Sequence, residues 1–180
     1  TNADIGYHQV VLKVTDATGA ASLQEFTVTV GDPNDAPDFI STVATTVAED
    51  TAYFDTVETN DLDGDSVALE AIALPNWLTF DPSTGVLTGT PLNEHLGDNA
   101  VEIVATDTNG AQATQSFNIN VINTNDAPVF TSVGTTAATE DSLYSYSIIS
   151  SDVDAGDSLV ITASTILPGW LELVDNGDST

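Results

Sequence analysis

The sequence predicts an all-β protein built from β-sandwich repeats in tandem. Three observations lead to this prediction. Short motifs recur about every 91 residues, apolar and polar residues alternate over several stretches, and turns rich in Gly, Asp and Asn separate these stretches. Strict alternation is typical of a strand with one buried face, and no stretch has a convincing helical period. A recurrence of this length indicates a repeated domain.

The charge of the chain is strongly one-sided. Its 180 residues include 28 acidic side chains and one basic side chain, Lys13, for a formal charge of −27. Nucleic acids and anionic lipids are bound through Lys and Arg, so both are excluded as partners. The 41% of apolar residues distinguishes the chain from disordered acidic tails. We therefore expect folded domains whose self-repulsion is relieved by salt or by divalent cations.

The chain contains no cysteine, which excludes disulfides and thiolate metal sites. Small secreted domains often depend on disulfides, and a domain without them can be stabilised by a bound metal instead. No signal peptide or membrane-spanning run is recognisable, and the repeat pattern is interrupted at both ends. We therefore expect the chain to be part of a longer protein.

A linker with the sequence Asn-Asp-Ala-Pro fixes the repeat frame. It occupies residues 34–37 and recurs 91 positions later, at 125–128. Three further motifs recur: Glu-Asp at 49–50 and 140–141, Asp-x-Asp at 61–63 and 152–154, and Leu-Pro-x-Trp-Leu at 74–78 and 167–171. The last shift is 93, which indicates two inserted residues, one of them near 155–156. We expect residues 37–127 to form a complete repeat, residues 1–36 the C-terminal part of a preceding one, and residues 128–180 the N-terminal part of a following one.

Paired strands are predicted near the end of the complete repeat. Residues 101–105 and 115–121 are strand-like, and 107–110 (Asp-Thr-Asn-Gly) has the composition of a hairpin turn. The same strand-turn-strand pattern appears at residues 10–14, 16–19 and 24–30. About seven short strands per repeat, separated by turns, are typical of an Ig-like sandwich.

The motifs of the complete repeat resemble those of the dystroglycan-type cadherin-like family, also known as Ig domains of the He_PIG type. The resemblance covers the complete repeat and rests on four motifs in the expected order: residues 74–81, 84–91, 105–107 and 125–128. The family occurs in long bacterial surface adhesins, often exported by type I secretion. The resemblance implies an extracellular extender segment at the bacterial cell surface, with roles in cell adhesion and biofilms. It also implies Ca2+ at the junctions between repeats.

The positions of the acids are consistent with that implication. In a seven-stranded sandwich, the loop after the second strand and the last hairpin turn lie beside the incoming linker, and the first turn lies beside the outgoing linker. At the first junction the candidate ligands are Asp4, Asp32, Asn34, Asp35, Asp61, Asp63 and Asp107. At the second junction they are Glu49, Asp50, Glu94, Asn123, Asn125, Asp126, Asp152, Asp154 and Asp157. Asp65 and Asp98 lie near these groups.

Calcium suits such a set because it takes six to eight oxygen ligands, whereas magnesium prefers a small octahedron and retains its waters. Without a cation, two carboxylates about 4 Å apart repel by roughly 1–4 kcal/mol. The second linker has Asn123 where the first has Asp32, so we expect the second site to be the weaker one. The alternative is that the acids only keep the surface solvated.

We expect no catalytic activity. His8 and His95 have no partner at zinc-ligand spacing, no nucleophile motif is present, and the paired carboxylates lie in repeated loops. Trp77 and Trp170 are expected in hydrophobic cores. Two other functions remain open: a glycan- or peptide-binding module, and an accessory domain of a secreted hydrolase.

The expected partners are calcium ions and neighbouring repeats of the same chain, without nucleic acid and without direct membrane insertion. The two partial repeats could also complete each other between chains, head to tail, as an open fibre. The alternative is that the ends of the sequence simply ignore the repeat frame.

Overall fold

A computed structural model describes residues 4–174, and these residues form an all-β protein without an α-helix. The strands are β1 (Gly6–Thr15), β2 (Ala21–Val30), β3 (Asp38–Phe39), β4 (Thr46–Ala48), β5 (Tyr53–Thr56), β6 (Thr59–Asn60), β7 (Ala68–Ala73), β8 (Leu78–Asp81), β9 (Val86–Gly89), β10 (Gly97–Thr106), β11 (Gln112–Ile122), β12 (Val129–Phe130) and β13 (Ser150–Ser151). A 3₁₀ turn, Asn93–His95, precedes β10. No helix in this part of the chain has the length and apolar character needed to cross a membrane.

Strands β3 to β11 form a two-layer sandwich, which we call the central repeat. One layer is a four-stranded sheet in the order β4-β11-β10-β7, and the other contains the β5-β9-β8 sheet and the β3-β6 pair. Most pairs are antiparallel, but β4 runs parallel to β11. The predicted fold class, tandem Ig-like or cadherin-like β-sandwiches, is therefore confirmed.

The core lies between the two layers and is built from the inward-facing residues of alternating strands. Leu87, Ile103 and Ile119 are completely buried, and each comes from a strand whose neighbouring residues point outward, as the period of two requires. Trp77 is 8% exposed and meets the Tyr53 ring edge to face, with centroids 5.9 Å apart. The expectation that Trp77 lies in a core is therefore confirmed.

Two buried polar groups of this core are satisfied by hydrogen bonds. The Trp77 indole N–H donates to Asn99 Oδ1 at 3.0 Å. The Tyr53 hydroxyl donates to the Ala44 carbonyl at 2.8 Å, and burial raises the pKa of Tyr53 to about 12. Both aromatic side chains therefore lie in the apolar interior without an unpaired donor.

The hairpin β1-β2, which we call the N-terminal hairpin, repeats the geometry of β10-β11. Gly6 lies opposite Val30 in the first hairpin, and Gly97 lies opposite Val121 in the second. Both members of the first pair are therefore 91 positions before their counterparts. The turns repeat as well, because Gly19 and Gly110 close them with φ of 91° and 93°.

Residues 128–174, which we call the C-terminal segment, repeat the first half of the central repeat. The β12-β13 pairing of Val129 with Ser151 corresponds to that of Asp38 with Asn60. The Tyr144 and Trp170 rings meet edge to face at 6.1 Å, as Tyr53 and Trp77 do. The short strand pair and the Tyr–Trp contact of the central repeat therefore both recur in the C-terminal segment.

The expectation that Trp170 lies in a core is wrong for the described residues, because its side chain is 68% exposed. Its counterpart Trp77 is covered by residues of β10 and β11, including Val101, Ile103 and Ile119, which belong to the same core cluster. The described part of the C-terminal segment contains no equivalent of these two strands. The same motif therefore gives a buried ring in one place and an exposed ring in the other.

Candidate metal centre at the repeat junctions

The second junction brings three carboxylates together from three different parts of the chain. Glu49 comes from the turn after β4, Asp126 from the linker, and Asp154 from the loop after β13. One oxygen of each lies within 4.8 Å of the others. We call this group the Glu49 cluster. Such convergence is not expected of acids that only solvate a surface.

Glu49 is an unusual residue because it is a carboxylate with only 1% of its surface exposed. Its Oε1 accepts a hydrogen bond from the Thr124 N–H at 2.9 Å, whereas its Oε2 is buried without a hydrogen-bond partner in the described structure. A buried carboxylate is costly unless it is paired or binds a metal. The unpaired, buried oxygen of Glu49 is therefore a candidate ligand for a cation.

A second group shares one member with the first. Oxygens of Asp152, Asp154 and Asp157 also lie within 4.8 Å of one another. The turn is organised by Asp152 Oδ1, which accepts the Asp154 N–H at 2.9 Å, and Asp154 Oδ2 accepts the Asp126 N–H at 2.6 Å. Linker and loop are thus joined by direct hydrogen bonds, which hold these carboxylates in place.

The first junction has the same backbone arrangement. Asp63 Oδ2 accepts the Asp35 N–H at 2.6 Å, and Asp61 Oδ1 accepts the Asp63 N–H at 2.9 Å. The other oxygen of Asp61, Oδ2, is buried without a partner among the described residues. The two junctions are therefore repeats of one site, 91 residues apart.

The hairpin turn of the central repeat also contributes to the first junction. Asp107 Oδ2 accepts a hydrogen bond from the Asn34 side chain at 2.7 Å, and its Oδ1 accepts the N–H groups of Asn109 and Ala111. These hydrogen bonds, led by that of Asn34, hold the pKa of Asp107 below its ordinary value. Asp107 is therefore fixed as an anion that faces the linker.

The two junctions differ in the number of carboxylates that converge. Among the described residues, no group of three carboxylates comparable to the Glu49 cluster forms at the first junction. The relative affinities of the two sites, inferred from Asp32 and Asn123, remain a prediction.

The remaining candidates have varied surroundings. Asp50 lies in the left-handed region, with φ of 56°. Glu94 Oε1 lies 3.6 Å from His95 Nε2 and the side chain is largely exposed. Asn125 donates to the Asp126 carbonyl at 2.7 Å, and the Asp4 carbonyl accepts from His8 at 2.6 Å. Within residues 4–174, Glu94 belongs to neither group of converging carboxylates.

Sequence reasoning missed two asparagines. Asn93 donates to Asp154 Oδ1 and to Asn123 Oδ1, both at 3.4 Å. Asn109 donates to Asn34 Oδ1 at 2.5 Å and to Asp65 Oδ2 at 2.6 Å. A search for side-chain oxygens next to predicted acidic ligands would have included both, because amide oxygens are also calcium ligands.

The Glu49 cluster affects the protonation of its neighbours. Burial raises the pKa of Asp126 above the ordinary 3.8, and the charges of Asp50, Asp154 and Glu49 raise it further. Burial likewise raises the pKa of Asp32 at the first junction, with help from Asp63. Both linkers therefore contain an aspartate that resists ionisation in the absence of a cation.

This property leads to a prediction for the metal-free protein. A carboxyl group whose pKa is higher in the folded state stabilises that state below its unfolded pKa, and the gain is lost as the pH rises through the folded pKa. In metal-free buffer we therefore expect the contribution of Asp126 to fall as the pH rises above the ordinary pKa of 3.8 and through the raised pKa of the folded state. Melting of the wild type and of Asp126→Asn at a series of pH values measures this. A pH dependence of the same slope in both proteins would contradict the prediction.

Comparisons with known proteins add family and fold to this geometry. Residues 36–122 match the family model He_PIG, described as "Putative Ig domain". The serine-rich adhesin for platelets of Staphylococcus aureus is 30% identical over 123 residues, which are 67% of this chain and 5% of the adhesin. The chain thus spans about a twentieth of the length of that relative.

Two solved structures are also similar. Extracellular cadherin domains 1–4 of protocadherin gamma B7 align with 84% of this chain and 42% of their own, at a TM-score of 0.51 and 19% identity. This likeness supports the fold. An endo-fucoidan hydrolase of glycoside hydrolase family 107, a H294Q variant, aligns with 69% of this chain and 20% of its own, at 26% identity and a TM-score of 0.43. That score is too low to support an inference about this chain.

Proposed function

The central repeat of this chain, residues 36–122, belongs to the He_PIG family of Ig domains, and on that premise we propose that the chain is a calcium-stiffened extender segment of a bacterial cell-surface adhesin. The similarity to a staphylococcal adhesin supports an adhesin repeat, and the cadherin-like fold supports domains arranged in tandem. In this proposal the segment is extracellular and projects a more distal binding domain from the cell. Its partners are calcium ions and the neighbouring repeats.

The Glu49 cluster is the observation that carries the proposal. Its carboxylates come from the central repeat, the linker and the C-terminal segment, so one cation would contact all three. Lys13, the only Lys or Arg in the chain, belongs to β1 and is exposed. No lysine or arginine is therefore available to neutralise the cluster, and a bound cation can do so.

Calcium fits this donor set better than magnesium or zinc. The groups at the junction are carboxylate and amide oxygens, which calcium binds in sets of six to eight with a flexible geometry. Glu49, Asp126, Asp154, Asp152 and Asp157 would hold the ion or ions at the second junction. The cation would attract Asp126 of the linker and Asp154 of the adjacent loop to the same centre. These two carboxylates repel each other without a cation, and they would become ligands of one ion.

A non-catalytic role is consistent with the sequence relatives, which are adhesins. The alternative of a ligand-binding module would require an exposed aromatic patch away from the linkers. On the outer face of β5, Phe54 is 69% exposed and lies opposite Thr88. No other aromatic side chain of the central repeat is exposed to this degree, and scattered exposed apolar side chains are normal for a protein surface. The binding-module hypothesis therefore gains little from Phe54.

The proposal is tested by measuring the length of the protein with and without calcium. Small-angle scattering of the 180-residue chain in metal-free buffer, in calcium and in magnesium gives the maximum dimension. A strand rises by about 3.3 Å per residue, so one repeat with its loops contributes roughly 40 Å. We expect calcium to produce a longer and more uniform particle and magnesium to have a much smaller effect.

An Asp154→Asn variant serves as a control because Asp154 belongs to both carboxylate groups. It should remain at the metal-free dimension over a range of calcium concentrations that lengthens the wild type. A wild-type dimension that is the same in metal-free buffer and in calcium would reject the stiffening function.

A further inference from the structure

The turn between β10 and β11 contains an Asn-Gly pair at residues 109–110. Asparagine is one of the chemically labile residues of proteins, and a following glycine places no side chain next to the backbone nitrogen. The same turn in the N-terminal hairpin has Thr18 and Gly19 at these positions. The shape of the turn therefore requires the glycine but not the asparagine.

The backbone nitrogen of Gly110 is accessible in this turn. Asn109 and Gly110 are both exposed, and a Cβ atom added to Gly110 would have nothing beyond its chain neighbours within 4 Å. The Gly110 N–H donates to the Asp107 carbonyl at 3.3 Å, which is longer than the usual distance of about 2.9 Å for such a bond. The nitrogen is therefore held only weakly and can be reached by water.

The side chain of Asn109, in contrast, is held by two groups of the first junction. Its Nδ2 donates to Asn34 Oδ1 at 2.5 Å and to Asp65 Oδ2 at 2.6 Å. Asn34 belongs to the first linker, and Asp65 belongs to the loop between β6 and β7. One of the two contacts that fix the amide therefore depends on the position of the linker.

We propose that Asn109 is a site of spontaneous deamidation and that the first linker keeps this reaction slow. The Gly110 nitrogen gives its proton to hydroxide and forms a bond to Asn109 Cγ. The Cγ–Nδ2 bond breaks, and ammonia leaves after taking a proton from water. One water molecule then opens the resulting succinimide ring at either of its two carbonyl carbons. The products are aspartate and isoaspartate at position 109.

The two hydrogen bonds of Asn109 oppose the reaction for a geometric reason. Cγ must move toward the Gly110 nitrogen before the new bond can form, and this movement takes Nδ2 away from both of its acceptors. Displacement of the linker removes the acceptor on Asn34. We therefore expect deamidation to be faster in a chain whose first linker has left the turn.

Deamidation changes the first junction because it replaces a hydrogen-bond donor with an acid. The amide that donates to Asp65 Oδ2 becomes a carboxylate, and two carboxylates at this separation repel each other. Asp107 and Asp63 add to the negative charge of the same junction. Isoaspartate also lengthens the main chain by one carbon atom, which disturbs the turn. Without a cation, the modified junction is therefore less stable than the original one.

The response of the product to calcium rests on the proposed function. A calcium ion at the first junction would neutralise the new carboxylate, whose oxygens are suitable ligands. Asn109→Asp should therefore lower the melting temperature in metal-free buffer, and it should lower it by less than half as much in calcium. An equal loss in both buffers would contradict a calcium site at this junction. The deamidation itself is measured separately and in the absence of calcium.

Deamidation is tested by incubating the metal-free protein at mildly alkaline pH and following its peptides by mass spectrometry. A protease that cleaves at acidic residues is suitable, because the chain has only one basic side chain. Peptide masses also separate Asn109 from the second Asn-Gly pair, residues 176–177, which lies outside the described residues. Each reaction at Asn109 raises the mass of its peptide by about one dalton. We expect this gain to be slow in the wild type and at least threefold faster in Asn34→Ala.

The matched control is Asn125→Ala, 91 positions later in the second linker. Asn125 and Asn34 both donate to the carbonyl of the next residue, but the contact with Asn109 is made by Asn34. The control should therefore deamidate at the wild-type rate. Asp65→Ala removes the other acceptor and should accelerate the reaction as Asn34→Ala does. Circular dichroism at each time point shows whether the variants remain folded.

Three results would overturn the proposal. The first is the absence of deamidation at Asn109 in the wild type and in both accelerating variants. The second is an equal rate in the wild type, Asn34→Ala and Asp65→Ala. The third is an equal acceleration by Asn125→Ala, which would mean that the linker variants act through general loss of structure. Asn109→Thr, which copies Thr18 of the N-terminal hairpin, should show no gain of mass in this peptide.

Discussion

Replacement of Glu49 by glutamine is expected to remove most of the stabilisation that calcium gives to this protein. At 100 times the dissociation constant, a cation that binds only the folded state adds about 2.7 kcal/mol. For a domain of this size each kcal/mol shifts the melting temperature by roughly 4–8 °C, so the wild type should gain about 10–20 °C. The variant keeps the shape of the side chain and the acceptor for Thr124 but removes the buried charge that the cation needs. Thermal melting in calcium, magnesium and metal-free buffer measures the effect.

The sequence provides a matched control in Glu140, which stands 91 positions after Glu49 and is exposed. Glu140→Gln changes the net charge by the same amount and should retain the full response to calcium. In metal-free buffer Glu49→Gln should be at least as stable as the wild type, because repulsion from Asp126 and Asp154 is reduced. Equal losses in the two variants would mean that calcium acts through the overall charge and not through the Glu49 cluster.

Truncation of Trp77 to alanine is expected to destabilise the central repeat by about 3–5 kcal/mol, the usual cost of removing a large aromatic side chain from a core. The ring packs against Tyr53 and its N–H binds Asn99, so the variant loses core contacts and leaves a polar group unpaired. Denaturant unfolding followed by circular dichroism measures the change in the free energy of unfolding.

Trp170→Ala tests the same motif in a different environment. We expect the free energy of unfolding to change by about 0.5 kcal/mol or less, as for other exposed positions. A loss as large as that of Trp77→Ala would show that the ring is buried.

Strand positions were largely predictable from the sequence because the main signal is local. The alternation over residues 115–121 places Phe117, Ile119 and Val121 on one face, and that face packs against the core. The Asp-Thr-Asn-Gly turn after β10 was also predictable, since an Asx side chain and a glycine with positive φ are local requirements of the turn. Repetition strengthened both inferences, because the same pattern occurs 91 residues earlier.

The candidate site was predictable only in part. Recurrent acids near the linkers identified Asp126 and Asp154, which do converge, but the same reasoning included Glu94, which is exposed beside His95. It also gave no reason to expect that Glu49 would be buried with a free oxygen, or that Asn93 and Asn109 would contact the acidic side chains. Distances across a junction depend on how three segments pack, and no spacing along the chain determines them.

The sequence by itself determined the repeat length, the alternation that makes strands, the turn chemistry and the excess of negative charge. These properties are local or additive, so they are the same wherever a motif occurs. The tertiary structure alone decided which copies of a motif are buried. Residues 46–48 form a strand and residues 137–139 do not, and Trp77 is covered whereas Trp170 is exposed. The physical reason is that a ladder of hydrogen bonds and a buried face each require a partner from a distant part of the chain. Within residues 4–174, only the central repeat has all of these partners in place.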